Sequence, residues 1–152
     1  MEAATETTAV ERELAIDATP ETVWAFLVEP EKAKQWMGID ATLDPQPGGV
    51  YRVEVIPGEV AAGEFVELDP PHRLVHTWGW EGKDVVTPGS TRIEIELIPS
   101  GDGTIMRFRH ELPTAAAAES HAHGWDHYFE RLVVVAQGGD AGTDPWVEGP
   151  MT

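Results

Sequence analysis

The chain of 152 residues carries 27 acidic and 10 basic side chains, which gives a formal net charge of −17 at pH 7. Such a negative field repels phosphate backbones, so we expect no nucleic-acid partner, and no apolar run approaches the 18 residues that membrane insertion requires. Cysteine is absent, which excludes disulfides and thiolate chemistry.

The length fits one domain. We place it at residues 9–138, between a flexible leader at 1–8 and a flexible tail at 139–152 that is rich in Gly, Pro and acidic residues. The first residues lack the basic and apolar regions of a secretory signal, so we expect a cytoplasmic protein.

The first predicted elements are a strand and two short helices. Residues 10–16 alternate loosely between apolar and polar, which favours a strand. Thr19 and Pro20 then supply an N-cap and a first-turn proline. The helix should end near Pro30, because proline disfavours helical geometry in the residue before it. A second short helix over residues 31–36 should end at Gly38.

From residue 39 the apolar period changes to two, which predicts six further strands. They cover residues 39–43, 51–55, 63–68, 74–80, 92–97 and 106–110. Strict alternation places one face of the sheet on a core and the other in water. Charges on the wet face, such as Arg52 and Arg107, are expected to pair with acidic residues across strands.

Residues 114–137 form the last predicted element, a long amphipathic helix that ends before Gly138-Gly139. A sheet with one apolar face buries that face by curling around such a helix. The sequence therefore predicts an α+β domain in which a curved antiparallel sheet of about seven strands wraps around a long C-terminal helix.

An ordered set of short motifs covers roughly residues 10–136. The set consists of Ala18-Thr19-Pro20-Glu21-Thr22-Val23-Trp24, Trp36, Gly48-Gly49-x-Tyr51-Arg52, Gly63, Asp69-Pro70-Pro71-x-Arg73-Leu74, Thr77-Trp78, Gly103-Thr104, His110 and His121-x-x-Gly124-Trp125. It resembles the SRPBCC (START-like, helix-grip) superfamily, and within it the branch named after the activator of Hsp-90 ATPase homologue. The resemblance implies a helix-grip fold with a cavity between sheet and C-terminal helix, which in this superfamily often holds hydrophobic small molecules or lipids.

We therefore predict that the chain binds a small hydrophobic ligand, lipid-like or aromatic, in that cavity. The predicted lining consists of Trp36, Tyr51, His76, Trp78, Met106, Phe108, His110, Trp125 and Phe129. The competing interpretation is a solid aromatic core with no space for a ligand. No catalytic residue, cofactor or metal is assigned.

Two histidines suggest a second function. His76 and His110 alternate onto the inward face, where a polar group needs a partner. Either could act as a general base, since the superfamily includes a minority of cyclases and hydratases. The structural alternative is a core histidine bonded to a backbone carbonyl or to Tyr51.

Two further interpretations remain. His123 and His127 have a spacing that can hold zinc, but they fall on the polar side of the helix, where we expect a solvated face. A co-chaperone-like interaction module, working through the outer surface, is the third functional alternative. The sequence also leaves a homodimer open.

Overall fold

The computed structural model describes residues 8–147 and contains seven strands and three α-helices in that range. The elements are β1 (Ala9–Ile16), α1 (Pro20–Val28), α2 (Pro30–Ala33), β2 (Asp40–Leu43), β3 (Val50–Ile56), β4 (Glu59–Asp69), β5 (Arg73–Trp78), β6 (Thr91–Ser100), β7 (Gly103–Glu111), α3 (Ala115–Ala136) and a 3₁₀ turn at Pro145–Val147. Most of the predicted leader and the end of the predicted tail, residues 1–7 and 148–152, lie outside the described residues.

The seven strands form one antiparallel sheet in the order β1-β7-β6-β5-β4-β3-β2. The buried face of the sheet and the apolar stripe of α3 share one core. The predicted helix-grip α+β fold is confirmed, including the two short helices after β1. Within residues 8–147, no helix is both long enough and apolar enough to cross a membrane.

The helix starts follow from capping residues that the sequence displays. Thr19 has an extended backbone, and its side-chain oxygen accepts the backbone N–H of Thr22 at 3.3 Å ahead of α1. Thr114 does the same for α3, accepting the N–H of Ala117 at 3.0 Å. Each contact satisfies one of the backbone donors that the first turn of a helix leaves free.

Ion pairs across the strands of the outer face follow the predicted alternation. Glu13 lies opposite Arg107, and their side chains meet at 2.9 Å; Glu11 and Arg109 are opposite each other and meet at 3.0 Å. Exposed pairs of this kind each contribute little stability, so the fold depends on the buried face. Arg52 pairs instead with Glu81, in the loop after β5.

The strands depart most from the prediction at two places: β4 begins at Glu59, four residues early, and the loop after β5 replaces the predicted end of that strand. β5 ends at Trp78, whereas the alternation predicted that it continues to Trp80. Trp80 makes a single β-bridge to Ala61, and its backbone N–H donates to the carbonyl of Val86 at 2.7 Å. The loop can return this close to β5 because Gly79 has no side chain. A Cβ at that position would overlap the backbone of the returning loop. The ring of Trp80 is thereby held beside the N-terminal half of α3.

The segment after α3 packs against that helix. Arg131 donates to the carbonyl oxygens of Ala141 at 3.1 Å and Gly142 at 2.7 Å, and Asp144 is buried. Residues 141–147, which the sequence analysis placed in a flexible tail, therefore contact the domain in this structure.

Gly63 generates the first testable prediction. A Cβ there would overlap the carbonyl of Thr77 on β5. Thr77 is held in place because its hydroxyl accepts the N–H of Glu64 at 2.9 Å. We expect Gly63→Ala to lower the free energy of unfolding by about 1–3 kcal/mol, measured by urea denaturation.

The matched control is Gly124→Ala. A Cβ at Gly124, inside α3, meets no atom within 4 Å, so the same chemical change should leave stability unchanged or raise it. If Gly63→Ala were as stable as Gly124→Ala, the close approach of β4 to β5 would be contradicted.

Candidate functional site

A partly open cavity of about 650 Å³ lies between the N-terminal half of α3 and the sheet. Its walls come from α3 and the residue that caps it, from β3 to β5, from the loop after β5 and from the chain before β2. The bordering residues are Met37, Val55, Glu59, Trp78, Trp80, Lys83, Asp84, Val85, Val86, Thr114, Ala116, Ala117, Ser120, His121, Gly124, Trp125 and Tyr128.

Three indole rings form the aromatic wall of the cavity. Trp78 packs edge-to-face against Trp80, with centroids 5.3 Å apart, and lies tilted against Trp125 at 5.0 Å. Trp78 and Trp125 are almost fully buried, whereas Trp80 is half-buried. Large rigid rings of this kind offer much apolar area at little cost in conformational entropy.

A chain of hydrogen bonds beneath the cavity joins the ring of Trp125 to the backbone of Trp78. The indole N–H of Trp125 donates to Nδ1 of His110 at 3.1 Å, so the ring proton of His110 is on Nε2. Nε2 donates to the hydroxyl of Thr91 at 2.9 Å, and that hydroxyl donates to the carbonyl of Trp78 at 2.6 Å. These hydrogen bonds join α3 to β7, β6 and β5, and every donor among them has one acceptor.

A second histidine fixes the third ring. The indole N–H of Trp80 donates to Nε2 of His121 at 2.9 Å, and Nδ1 of His121 donates to the carbonyl of Ala117 at 2.8 Å. This arrangement requires the neutral imidazole. Burial lowers the pKa of His121, which favours the same form.

Tyr128 forms a further wall and is held from behind by the chain after α3. Its hydroxyl donates to the carboxylate of Asp144 at 2.8 Å, which also accepts Nε2 of His127 at 2.8 Å. Burial opposes ionisation of Asp144, but hydrogen bonds from the backbone of Trp146, from Tyr128 and from His127 outweigh it and lower the pKa of this carboxyl.

The expectation that His127 lies on a solvated face is wrong. The ring of Trp146 stacks on it at 3.7 Å with the two planes 11° apart. Helical periodicity could not reveal this cover, because it comes from residues beyond the helix. His123 is exposed and also lies near Trp146. Among residues 8–147, no group of three or more potential ligands is placed to hold a metal ion.

The rim of the cavity is mixed in character. Lys83 pairs with Glu59 at 3.4 Å, so its charge is compensated locally, and Asp84 adds a negative charge. Val85, beside them, is 61% exposed. The rim of the cavity therefore combines charged groups with one exposed apolar side chain.

Of the nine residues predicted to line a ligand site, Trp78 and Trp125 border this cavity. The other seven are buried in the interior and do not border the cavity: Trp36, Tyr51, His76, Met106, Phe108, His110 and Phe129. Five of them form two packed groups. In one, Phe129 packs on Trp36 and Phe108 at 6.4 and 4.8 Å; in the other, Tyr51 stacks on His76 at 4.0 Å.

Several bordering residues were missing from the sequence-based lining. His121 and Gly124 were visible in a motif, but with no reason to assign them to a cavity wall. Tyr128 is buried on the same side of α3 as Trp125, three residues after it, so helical spacing could have indicated its inward position. Lys83 and Val86 belong to a loop, where the sequence has no periodic pattern that indicates which way a side chain points.

His76 and His110 are both buried, as the alternation predicts. His76 donates from Nδ1 to the carbonyl of Thr77 at 2.9 Å. Burial lowers the pKa of His76 to about 4, and burial together with the neighbouring His121 and His76 lowers that of His110 to about 2. Both are therefore buried and neutral: His76 bonds to a backbone carbonyl, as the structural alternative expected, whereas His110 bonds to the side chains of Trp125 and Thr91.

Comparison with known proteins identifies the family. The sequence model described as activator of Hsp90 ATPase homolog 1-like protein matches residues 17–137. An AHSA1-like protein from Rhizobium etli, solved in solution, is 45% identical over 91% of this chain and 87% of its own, with a TM-score of 0.73. No curated protein sequence matches the chain.

More distant structures share the fold alone. DynU16, from the dynemicin biosynthetic locus, is 19% identical with a TM-score of 0.77, over 88% of this chain and 49% of its own. The Aha1 dimer of Colwellia psychrerythraea is 18% identical with a TM-score of 0.75, over 88% of this chain and 98% of its own.

The buried histidines generate a prediction for acid stability. Between the ordinary histidine pKa of 6.5 and the lowered values, the unfolded chain binds protons that the folded chain does not, so stability falls as pH decreases. We expect each of His76 and His110 to cost about 2 kcal/mol at pH 5 relative to pH 8.

The matched comparison is His76→Phe, which keeps an aromatic ring against Tyr51. Denaturant unfolding between pH 8 and pH 5 should show a shallower loss of stability in this variant, by about the contribution of one histidine. Titration of the many carboxylates is common to both proteins and cancels in the difference. Identical slopes would contradict the neutral state of buried His76.

Proposed function

The chain belongs to the activator of Hsp90 ATPase homolog 1-like family, and from that premise we propose that it binds a small hydrophobic molecule between α3 and the sheet. The observation that carries the proposal is the cavity of about 650 Å³ walled by Trp78, Trp80 and Trp125. Small-molecule sites in proteins typically measure about 300–1,000 Å³ and are lined by apolar and aromatic side chains.

The composition of the walls supports an apolar ligand. Met37, Val55 and Val86 add aliphatic surface to the indole rings. Each Å² of apolar area that a ligand removes from water contributes roughly 25 cal/mol, before the entropic cost of association. Covering the exposed side chain of Val85 would add to this gain.

Gly124 supports the same conclusion from the helix side. Glycine inside a helix costs about 1 kcal/mol relative to alanine. Packing does not require it here, since a Cβ would meet no atom within 4 Å. Its effect is to leave the wall of α3 without a side chain between His121 and Tyr128, which also border the cavity.

The relation to DynU16 is compatible with this proposal. That protein belongs to a biosynthetic locus, where proteins that handle small molecules are expected. Its likeness to the present chain concerns the fold, so no activity or binding property of DynU16 is transferred.

General-base catalysis by a buried histidine has less support. Both ring nitrogens of His110 are engaged, with Trp125 and Thr91, and His76 donates to a backbone carbonyl. A general base works best with a pKa near the operating pH, whereas both of these values are strongly lowered. Neither residue borders the cavity.

A co-chaperone-like interaction would use the outer surface, so it can be separated from ligand binding by substitutions inside the cavity. A homodimer and a cytoplasmic location stay predictions.

The decisive variant is Gly124→Phe, which places a ring in the open space beside Trp125. We expect it to weaken binding of the neutral fluorescent probe N-phenyl-1-naphthylamine at least tenfold, because the side chain occupies the ligand's volume. Binding is measured from the rise in probe fluorescence, and folding from the circular dichroism melting curve.

Gly124→Ala is the control, since it removes the same glycine but leaves most of the space. It should bind the probe nearly as well as the natural chain and melt at the same or a higher temperature. Undiminished binding by a folded Gly124→Phe variant would show that the probe binds elsewhere and would sink the proposal.

A further inference from the structure

We propose that the post-helix segment, residues 141–147, is coupled to the ligand site, and that Asp144 is a positioning residue for Tyr128 at the cavity wall. Attachment of this segment and occupation of the cavity then stabilise each other. The coupling rests on the proposed function and adds a means by which a segment outside the cavity sets its affinity. The match to the family model ends at residue 137, so the post-helix segment lies beyond the part of the chain that the model describes.

The first connection is the carboxylate of Asp144, which is 7% exposed. It accepts the hydroxyl of Tyr128 and Nε2 of His127, each at 2.8 Å, and the backbone N–H of Trp146 at 3.0 Å. Burying a carboxylate is costly unless donors compensate for its lost hydration. Two of these three donors belong to α3, so the segment can bury Asp144 at low cost only while Tyr128 and His127 keep their present positions.

Tyr128 carries this constraint to the cavity, which it borders. The residue is 3% exposed, so its hydroxyl depends on a partner from the protein. A buried hydroxyl that loses its acceptor is costly to leave unpaired, and the side chain then shifts or admits water. Either change alters the boundary of the cavity at Tyr128.

Arg131 provides a second connection. Its guanidinium donates to the carbonyl oxygens of Ala141 and Gly142 in the segment and, from Nε, to the carbonyl of Trp36 at 3.1 Å. Met37, the next residue along the chain, borders the cavity. Release of the segment would remove two of the three hydrogen bonds that hold Arg131. Two hydrogen-bonded routes therefore lead from the segment to residues at the cavity wall.

The contacts of the segment are few enough for it to detach without unfolding the domain. Besides the hydrogen bonds of Asp144 and Arg131, the ring of Trp146 stacks on His127 at 3.7 Å and meets Tyr128 edge-to-face at 5.6 Å. Local openings of this kind cost less free energy than global unfolding. A ligand that binds better when Tyr128 is held shifts the segment toward attachment, and attachment raises ligand affinity by the same factor.

The first test cuts the bond between Asp144 and Tyr128 from either side. Asp144→Ala removes the acceptor, whereas Tyr128→Phe removes the donor and keeps the ring. We expect each variant to bind N-phenyl-1-naphthylamine about three- to tenfold more weakly, measured by probe fluorescence, because the side chain at position 128 is no longer held. Circular dichroism melting curves establish that each variant folds.

The matched control is Thr104→Val. The hydroxyl of Thr104, which is 1% exposed, donates to the carbonyl of Ala18 at 2.7 Å, and Thr104 does not border the cavity. This variant also loses one buried hydrogen bond, so it should melt at a lower temperature but bind the probe as the natural chain does. An equal loss of affinity in Thr104→Val would mean that general destabilisation explains the effect, and would overturn the coupling.

The reciprocal measurement needs no variant. Saturating N-phenyl-1-naphthylamine should slow amide hydrogen exchange of residues 141–147 in the natural chain by about three- to tenfold, measured by mass spectrometry. The turn at residues 100–103 does not border the cavity, and its exchange should stay unchanged. A bound probe that leaves the exchange of residues 141–147 unchanged would also overturn the coupling.

The outcomes separate the two proposals. If the natural chain, Asp144→Ala and Tyr128→Phe all bind the probe equally, the cavity binds ligands without help from the segment, and the coupling fails alone. If the natural chain does not bind the probe, ligand binding of this class is wrong, and the coupling fails with it.

Discussion

The arrangement of the interior depends on one buried hydrogen-bond chain, from Trp125 on α3 through His110 and Thr91 to the carbonyl of Trp78. It is the polar connection between the long helix and the centre of the sheet, and it requires His110 to be neutral. Each member has its partner, so the chain specifies one position of the helix over three strands. The indole of Trp125 and the backbone of Trp78, at its two ends, are thereby fixed at the cavity wall.

This hydrogen-bond chain lies between a part of the interior that is filled by side chains and a part that contains the cavity. On one side, Phe108 and Phe129 fill the space between helix and sheet with packed rings. On the other side α3 presents Gly124 and the loop after β5 returns over the opening, which leaves about 650 Å³. The packed side stabilises the domain by burying apolar surface. The side with the cavity has space for the ligand that we propose. The solid aromatic core that the sequence allowed therefore describes the first side of the interior, and the ligand site that we propose lies on the second.

Local chemistry explains why the fold could be predicted and the site only in part. Period-two alternation and the caps at Thr19 and Thr114 indicated the elements, because those signals lie within a few residues of each other. Inward direction is also local, so the burial of His76 was predictable. Which inward-facing residues border the cavity depends on where each lies along α3 and the sheet. That position is set by contacts between segments far apart in the sequence. The turn at Gly79 and the cover of His127 by Trp146 depend on distant segments, for which the sequence carries no comparable signal.

The most direct measurement of the central claim is a set of intermolecular nuclear Overhauser effects between unlabelled naphthalene and ¹³C-methyl-labelled protein. Met37, Val55 and Val86 border the cavity, whereas Met106 and Leu132 are fully buried in the packed core. The account predicts contacts from the ring protons of naphthalene to the first three residues and none to the last two. Saturating naphthalene without contacts to Met37, Val55 or Val86 would contradict it.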